Sequence, residues 1–196
     1  MAVETNPLSR PVRRPVAIES EVFAMIVWIF AEVMTFAGFL SAYHLVGARA
    51  PAGWWPPPGD PLLPWAETAA ASVALFASAG CVVWGAFRPD RDRRALSLAV
   101  PLGAVFVIYQ IVEFTRLLAV GFTIQSSAGG GFFFTIVGAH ALHAIVGIGA
   151  LAWAAYGRAD MTPGLRKAIR AYWYFVVLLW PVVYGVLYGP YIGLGR

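Results

Sequence analysis

Five apolar runs, each long enough to cross a bilayer as a helix, leave this chain few folds to choose from. They extend from about Glu19 to Val46, Leu63 to Phe87, Ala95 to Phe122, Gly130 to Tyr156 and Lys167 to Tyr188. A helix needs about 20 residues to cross the hydrocarbon core. Open sheets and irregular loops cannot face lipid there, because each backbone amide and carbonyl must find a partner inside the protein. The expected fold is all-α, a polytopic transmembrane bundle of five helices. Composition agrees: 60% of the 196 residues are hydrophobic and 12% are charged, with a mean hydropathy of +0.70. One domain over residues 19–190 suffices, with an arm at 1–18 and a tail at 191–196.

The loops set an orientation. Arg10, Arg13 and Arg14 precede the first run, Arg88, Arg91, Arg93 and Arg94 follow the second, and Arg158, Arg166, Lys167 and Arg170 surround the start of the fifth. The other side carries Arg49, Arg116 and the tail residue Arg196. The positive-inside rule then puts the N-terminus in the cytoplasm and the C-terminus outside. These clusters account for the net charge of +4 without nucleic acid. The first run is too long for a signal peptide, so it reads as a retained helix. The single cysteine, Cys81, excludes an intrachain disulfide and reads as a packing residue. No internal repeat suggests a transporter core.

Polar residues inside the spans are few, and each needs a reason to be there. Glu32 lies near the middle of the first run, where an acidic side chain costs about 2.5 kcal/mol or more to insert. Its neighbours three and four residues away are Trp28, Ile29, Thr35 and Phe36, so its own helix offers no counter-charge. It is either a structural carboxyl bonded to a neighbouring helix or a proton-handling group. Glu113 and Arg116, three apart on one helix, read as a pair that neutralises itself. Glu67 sits near a helix N-terminus, where the dipole favours an anion. His140 and His143 share a face of the fourth helix, with His44 as the sole further histidine. A metal site needs more ligands than this, so hydrogen-bonded imidazoles between helices are the expectation. The small residues Ala70, Ala74 and Ser78 suggest close intramolecular helix packing. Trp54 and Trp55, in a Pro-rich loop, suit a membrane interface, as do Tyr172 and Trp173 at the start of the last run, where aromatic packing is the default explanation. Pro181 should kink the last helix. No nucleophile–base set, phosphate loop or metal spacing points to autonomous catalysis.

Several short words occur in a suggestive order. Glu32-Val33-Met34-Thr35-Phe36-Ala37-Gly38 is followed by Trp55-Pro56-Pro57-Pro58-Gly59, Glu67-Thr68, Gln110-Ile111-Val112-Glu113-Phe114, Gly138-Ala139-His140-Ala141-Leu142-His143 and Tyr172-Trp173-Tyr174-Phe175-Val176-Val177. Together they resemble subunit III of haem–copper terminal oxidases, over nearly all of the chain after residue 25 and in the short five-helix form. Tyr174, Val177 and Glu67 depart from the pattern, which has His, Asp and Asn there.

The resemblance implies an accessory subunit with no cofactor of its own. Haem and copper are expected in the partner catalytic subunit I, with other oxidase subunits and a respiratory supercomplex as further partners. It implies phospholipid bound in a helix cleft, with Glu32, Glu67, Glu113, Arg116, His140 and His143 as polar candidates around it. It also implies support of turnover and proton uptake from a bacterial-type plasma membrane or another energy-coupling membrane. Two other readings stay open: a companion of a nitric oxide reductase, and an independent proton-linked transporter built on Glu32 and the histidines.

Overall fold

The structure, a computed structural model, describes residues 19–157 and 161–192. The expected arm at 1–18, Arg158 and residues 193–196 of the tail lie outside them. Among the described residues there are five long helices and no strand: α1 (Ser20–Arg49), α2 (Trp65–Phe87), α3 (Asp92–Ala119), α4 (Ala128–Tyr156) and α5 (Pro163–Leu187). All five are long and apolar enough to cross a membrane.

Local chemistry explains the boundaries. Ser127 caps α4 by accepting from the Gly130 amide at 2.9 Å, and its hydroxyl donates to Asp60 Oδ2 at 3.0 Å. The long α1–α2 loop is thereby tied to the start of α4. Thr162 caps α5 through the Leu165 amide, and Pro163 takes the first helical position, where its missing N–H costs nothing. The fifth helix therefore begins four residues before the expected Lys167. Pro101 sits inside α3, where it deprives the Ser97 carbonyl of its usual donor. The Tyr156 hydroxyl reaches that carbonyl at 3.4 Å. Helix α5 continues through Pro181 to Leu187.

The helices α2, α3, α4 and α5 close a ring, each packed on the next and α5 returning to α2. Helix α1 stands outside the ring and leans on α5 and α4. It buries only Phe36, Leu40 and Tyr43, while Phe23, Trp28, Phe30 and Met34 face outward. That outward apolar face is what a lipid-exposed helix requires.

The ring core holds Trp173, Trp180, Tyr188, Phe106 and Phe133. Trp173 fits because two glycines make room for it. A Cβ on Gly147 would lie 2.7 Å from Trp173 Cε3, and one on Gly103 would lie 3.0 Å from its Cη2. Small residues thus let α3, α4 and α5 close around one large ring. On α2 the buried stripe is Thr68, Ser72, Leu75, Ser78, Val82 and Gly85. The expected stripe of Ala70, Ala74 and Ser78 is corrected: Ala70 is exposed and only Ser78 is buried. A step of four residues advances about 40° beyond a full turn, so a stripe of pure fours drifts off the contact face.

Candidate functional site

Glu32 finds its partner on another helix. Its Oε2 lies 3.3 Å from Nε2 of His143 on α4, and both side chains are largely buried. His143 Nδ1 lies 2.7 Å from the Ala139 carbonyl. A carbonyl oxygen only accepts, so Nδ1 carries a proton. The contact at Nε2 then needs one more proton, either a carboxyl O–H donated to nitrogen or an imidazolium N–H donated to carboxylate. Phe36 and Phe175 pack on the imidazole, with ring centroids 5.5 and 6.3 Å away.

Glu113 lies in a second cluster, inside the ring. The Tyr188 hydroxyl donates to its Oε1 at 2.8 Å, and Gln110 Nε2 donates to its Oε2 at 3.0 Å. The Thr68 hydroxyl stands 3.3 Å from the same Oε2, and also 3.3 Å from the Tyr109 hydroxyl. Two helices, α2 and α3, and the residue after α5 thus converge on one carboxyl. Further along, Trp180 Nε1 donates to Ser72 at 2.7 Å, and Ser72 donates to the Thr68 carbonyl at 2.7 Å.

The expected pairing of Glu113 with Arg116 is corrected. Arg116 instead reaches Glu67 on α2 at 3.1 Å, and both side chains are more than half exposed. Three residues turn a helix by about 300°, so the two side chains of α3 point about 60° apart. The edge of the buried face falls between them.

His140 and His143 also diverge. His140 is fully buried and bonds through Nε2 to the Val176 carbonyl at 3.0 Å, so that nitrogen donates. Its ring is tilted against that of Trp180, with centroids 4.8 Å apart, and among the described residues its Nδ1 has no hydrogen-bond partner. His143 faces α1 instead. His44 is exposed beside Tyr43. Among the described residues no three His, Cys, Asp or Glu side chains come together as a metal would need.

The aromatic residues divide. Trp54 is exposed, as a membrane interface asks, whereas Trp55 turns inward onto Tyr43 at 5.0 Å and Phe132 at 6.4 Å. Tyr172 and Trp173 are corrected: both are buried in the bundle, Trp173 completely. The earlier start of α5 moves them two turns inside the helix.

An unexpected ion cluster lies at the α2–α3 turn. Asp92, nearly buried, accepts from Arg166 at 3.1 Å and from Arg170. Lys167 meets Glu19 at 3.0 Å. The arginines there were legible as orientation signals; their shared carboxylate was not.

The sequence has close parallels. A family model described as cytochrome c oxidase subunit III matches residues 15–191. The probable cytochrome c oxidase subunit 3 of Mycobacterium tuberculosis (strain ATCC 25618 / H37Rv) is 31% identical over 173 residues, covering 83% of this chain and 84% of the relative. Cytochrome c oxidase subunit 3 of Corynebacterium diphtheriae is 32% identical over 177 residues, with 83% and 84% covered. That of Sus scrofa is 32% identical over 180 residues, covering 85% of this chain and 68% of the relative. With five apolar helices, these matches make the chain a multi-pass membrane protein that works with other oxidase subunits. It belongs to the cytochrome c oxidase subunit III family and is an accessory subunit of a respiratory haem–copper oxidase.

Proposed function

We propose that this subunit packs beside catalytic subunit I, carries no redox cofactor itself, and protects turnover and proton uptake by holding phospholipid against the bundle. One observation supports this reading above the others. Between α1 and α5 runs an apolar groove of about 640 Å³, lined by Ile29, Val33, Phe36, Phe175, Leu178 and others. Phe36 and Phe175 form part of its floor and also touch His143, so the Glu32–His143 pair lies directly behind an acyl-chain surface.

In this reading electrons stay on the haem and copper of the partner, and the polar clusters shape and fasten the helices. The relatives' names favour cytochrome c over quinol as the donor. The N-terminus faces the cytoplasm, since the described ends of α2, α3 and α5 on that side carry Arg88, Arg91, Arg93, Arg94, Arg166, Lys167 and Arg170. A supercomplex with other respiratory enzymes fits the same role.

Deleting the subunit tests the reading. The expected result is an oxidase with unaltered haem spectra whose activity decays faster during sustained turnover. An unchanged active lifetime would contradict it.

A further inference from the structure

We infer that a second lipid site, selective for an anionic phospholipid, lies between α2 and α5, with the phosphate in a basic cleft at the α2–α3 turn and an acyl chain along the groove above it. The cleft has a volume of about 480 Å³ and lies between the end of α2 and the start of α5. Four cations line it, Arg93, Arg166, Lys167 and Arg170, against one carboxylate, Asp92. Asp92 serves two of them, Arg166 and Arg170. Glu19 serves Lys167 from outside the cleft. Arg93 makes no ion pair among the described residues. Its Nε donates to the Ala155 carbonyl at 2.7 Å, which anchors the guanidinium. Among the described residues Arg170 Nε is buried without an acceptor. Of the four, Arg93 is the cation without a carboxylate partner among the described residues, and guanidinium forks suit phosphate oxygens.

The cleft alone would accept any phosphate. Its continuation selects an amphiphile. Ala86 lines both the cleft and an adjoining groove of about 500 Å³. The groove wall is Ala79, Val83 and Phe87 from α2, with Tyr174, Val177 and Leu178 from α5. It is almost wholly apolar. Basic pockets between helix ends on the cytoplasmic side are suited to anionic headgroups. This site lies across α5 from the α1–α5 groove and does not depend on that groove being filled.

The test is native mass spectrometry on the assembled, delipidated oxidase, titrated with phosphatidylglycerol or phosphatidylcholine in mixed micelles. The expected result is selective retention of phosphatidylglycerol. Retention should fall about fivefold or more for the double variant Arg93→Gln/Arg166→Gln. Both substituted residues leave Arg170 on Asp92, so the helix tie survives. The exposed substitution Ala86→Trp, which blocks the junction without changing charge, should lower retention too. Arg49→Gln, an exposed cation at the far end of α1 from Glu19, should leave it unchanged. Equal retention of the two lipids, or undiminished retention in the double variant, would overturn the inference. So would displacement of the lipid by millimolar inorganic phosphate, which would mark a free-phosphate site.

Discussion

Nε2 of His143 lies 3.3 Å from Oε2 of Glu32, and this contact fastens the one helix outside the ring to the ring itself. Helix α1 buries few side chains, so a polar bond at bilayer depth carries an unusual share of its docking. Glu32→Ala removes the partner of a largely buried imidazole and should cost about 1–3 kcal/mol. Glu32→Gln can still donate to Nε2 and should cost much less. Thermal unfolding of the detergent-solubilised complex, followed by release of this subunit, measures the difference. Equal losses for the two variants would show that the bond does not hold α1.

Tyr188 binds Glu113 from beyond the end of α5, at 2.8 Å. Tyr188→Phe keeps the ring in the core and leaves a buried carboxyl short of one donor. A loss of about 1–3 kcal/mol is expected, with hydrogen exchange rising first at the C-terminal ends of α3 and α5. Exchange unchanged at both ends would contradict the cluster's structural role.

Gly147 and Gly149 offer a matched pair. A Cβ at Gly147 would press on Trp173 at 2.7 Å, whereas one at Gly149 meets nothing within 4 Å. Gly147→Ala should cost about 1–3 kcal/mol through overpacking. Gly149→Ala should leave stability unchanged or slightly raised. The yield of assembled oxidase and its melting temperature distinguish the two variants.

Two ion pairs differ by burial. Asp92 is shielded and holds two arginines of α5 to α3, while Glu67 and Arg116 are mostly in solvent or headgroups. Asp92→Asn should destabilise by about 2–3 kcal/mol, because it strands two partly buried guanidinium groups. Glu67→Gln should cost under about 1 kcal/mol. Added salt should weaken only the second contact appreciably.

The spans were legible because hydropathy alone identifies a segment that must be helical in lipid. The Glu32 partner was legible only as a need: a mid-span carboxyl with no counter-charge on its own helix requires one from elsewhere. Which residue supplies it depends on α1 packing against α4, more than 100 residues away in the chain. The same limit hid Tyr188 from Glu113. Arg116 misled because a same-helix neighbour looks like a partner until the buried face is known. The start of α5 was legible in principle from Thr162-Pro163, a cap followed by a first-turn proline, but the surrounding charges resembled a loop. Asp92 was overshadowed by the arginines around it.

Membership of a haem–copper oxidase assembly follows from the family to which the chain belongs. Its most direct test is crosslinking in intact membranes, mild purification of the tagged chain, and a reduced-minus-oxidised spectrum of what it brings down. Oxidase haem bands and a covalent adduct to the large catalytic subunit are expected. A crosslinked chain recovered without haem, joined to itself or to an unrelated transporter, would contradict it.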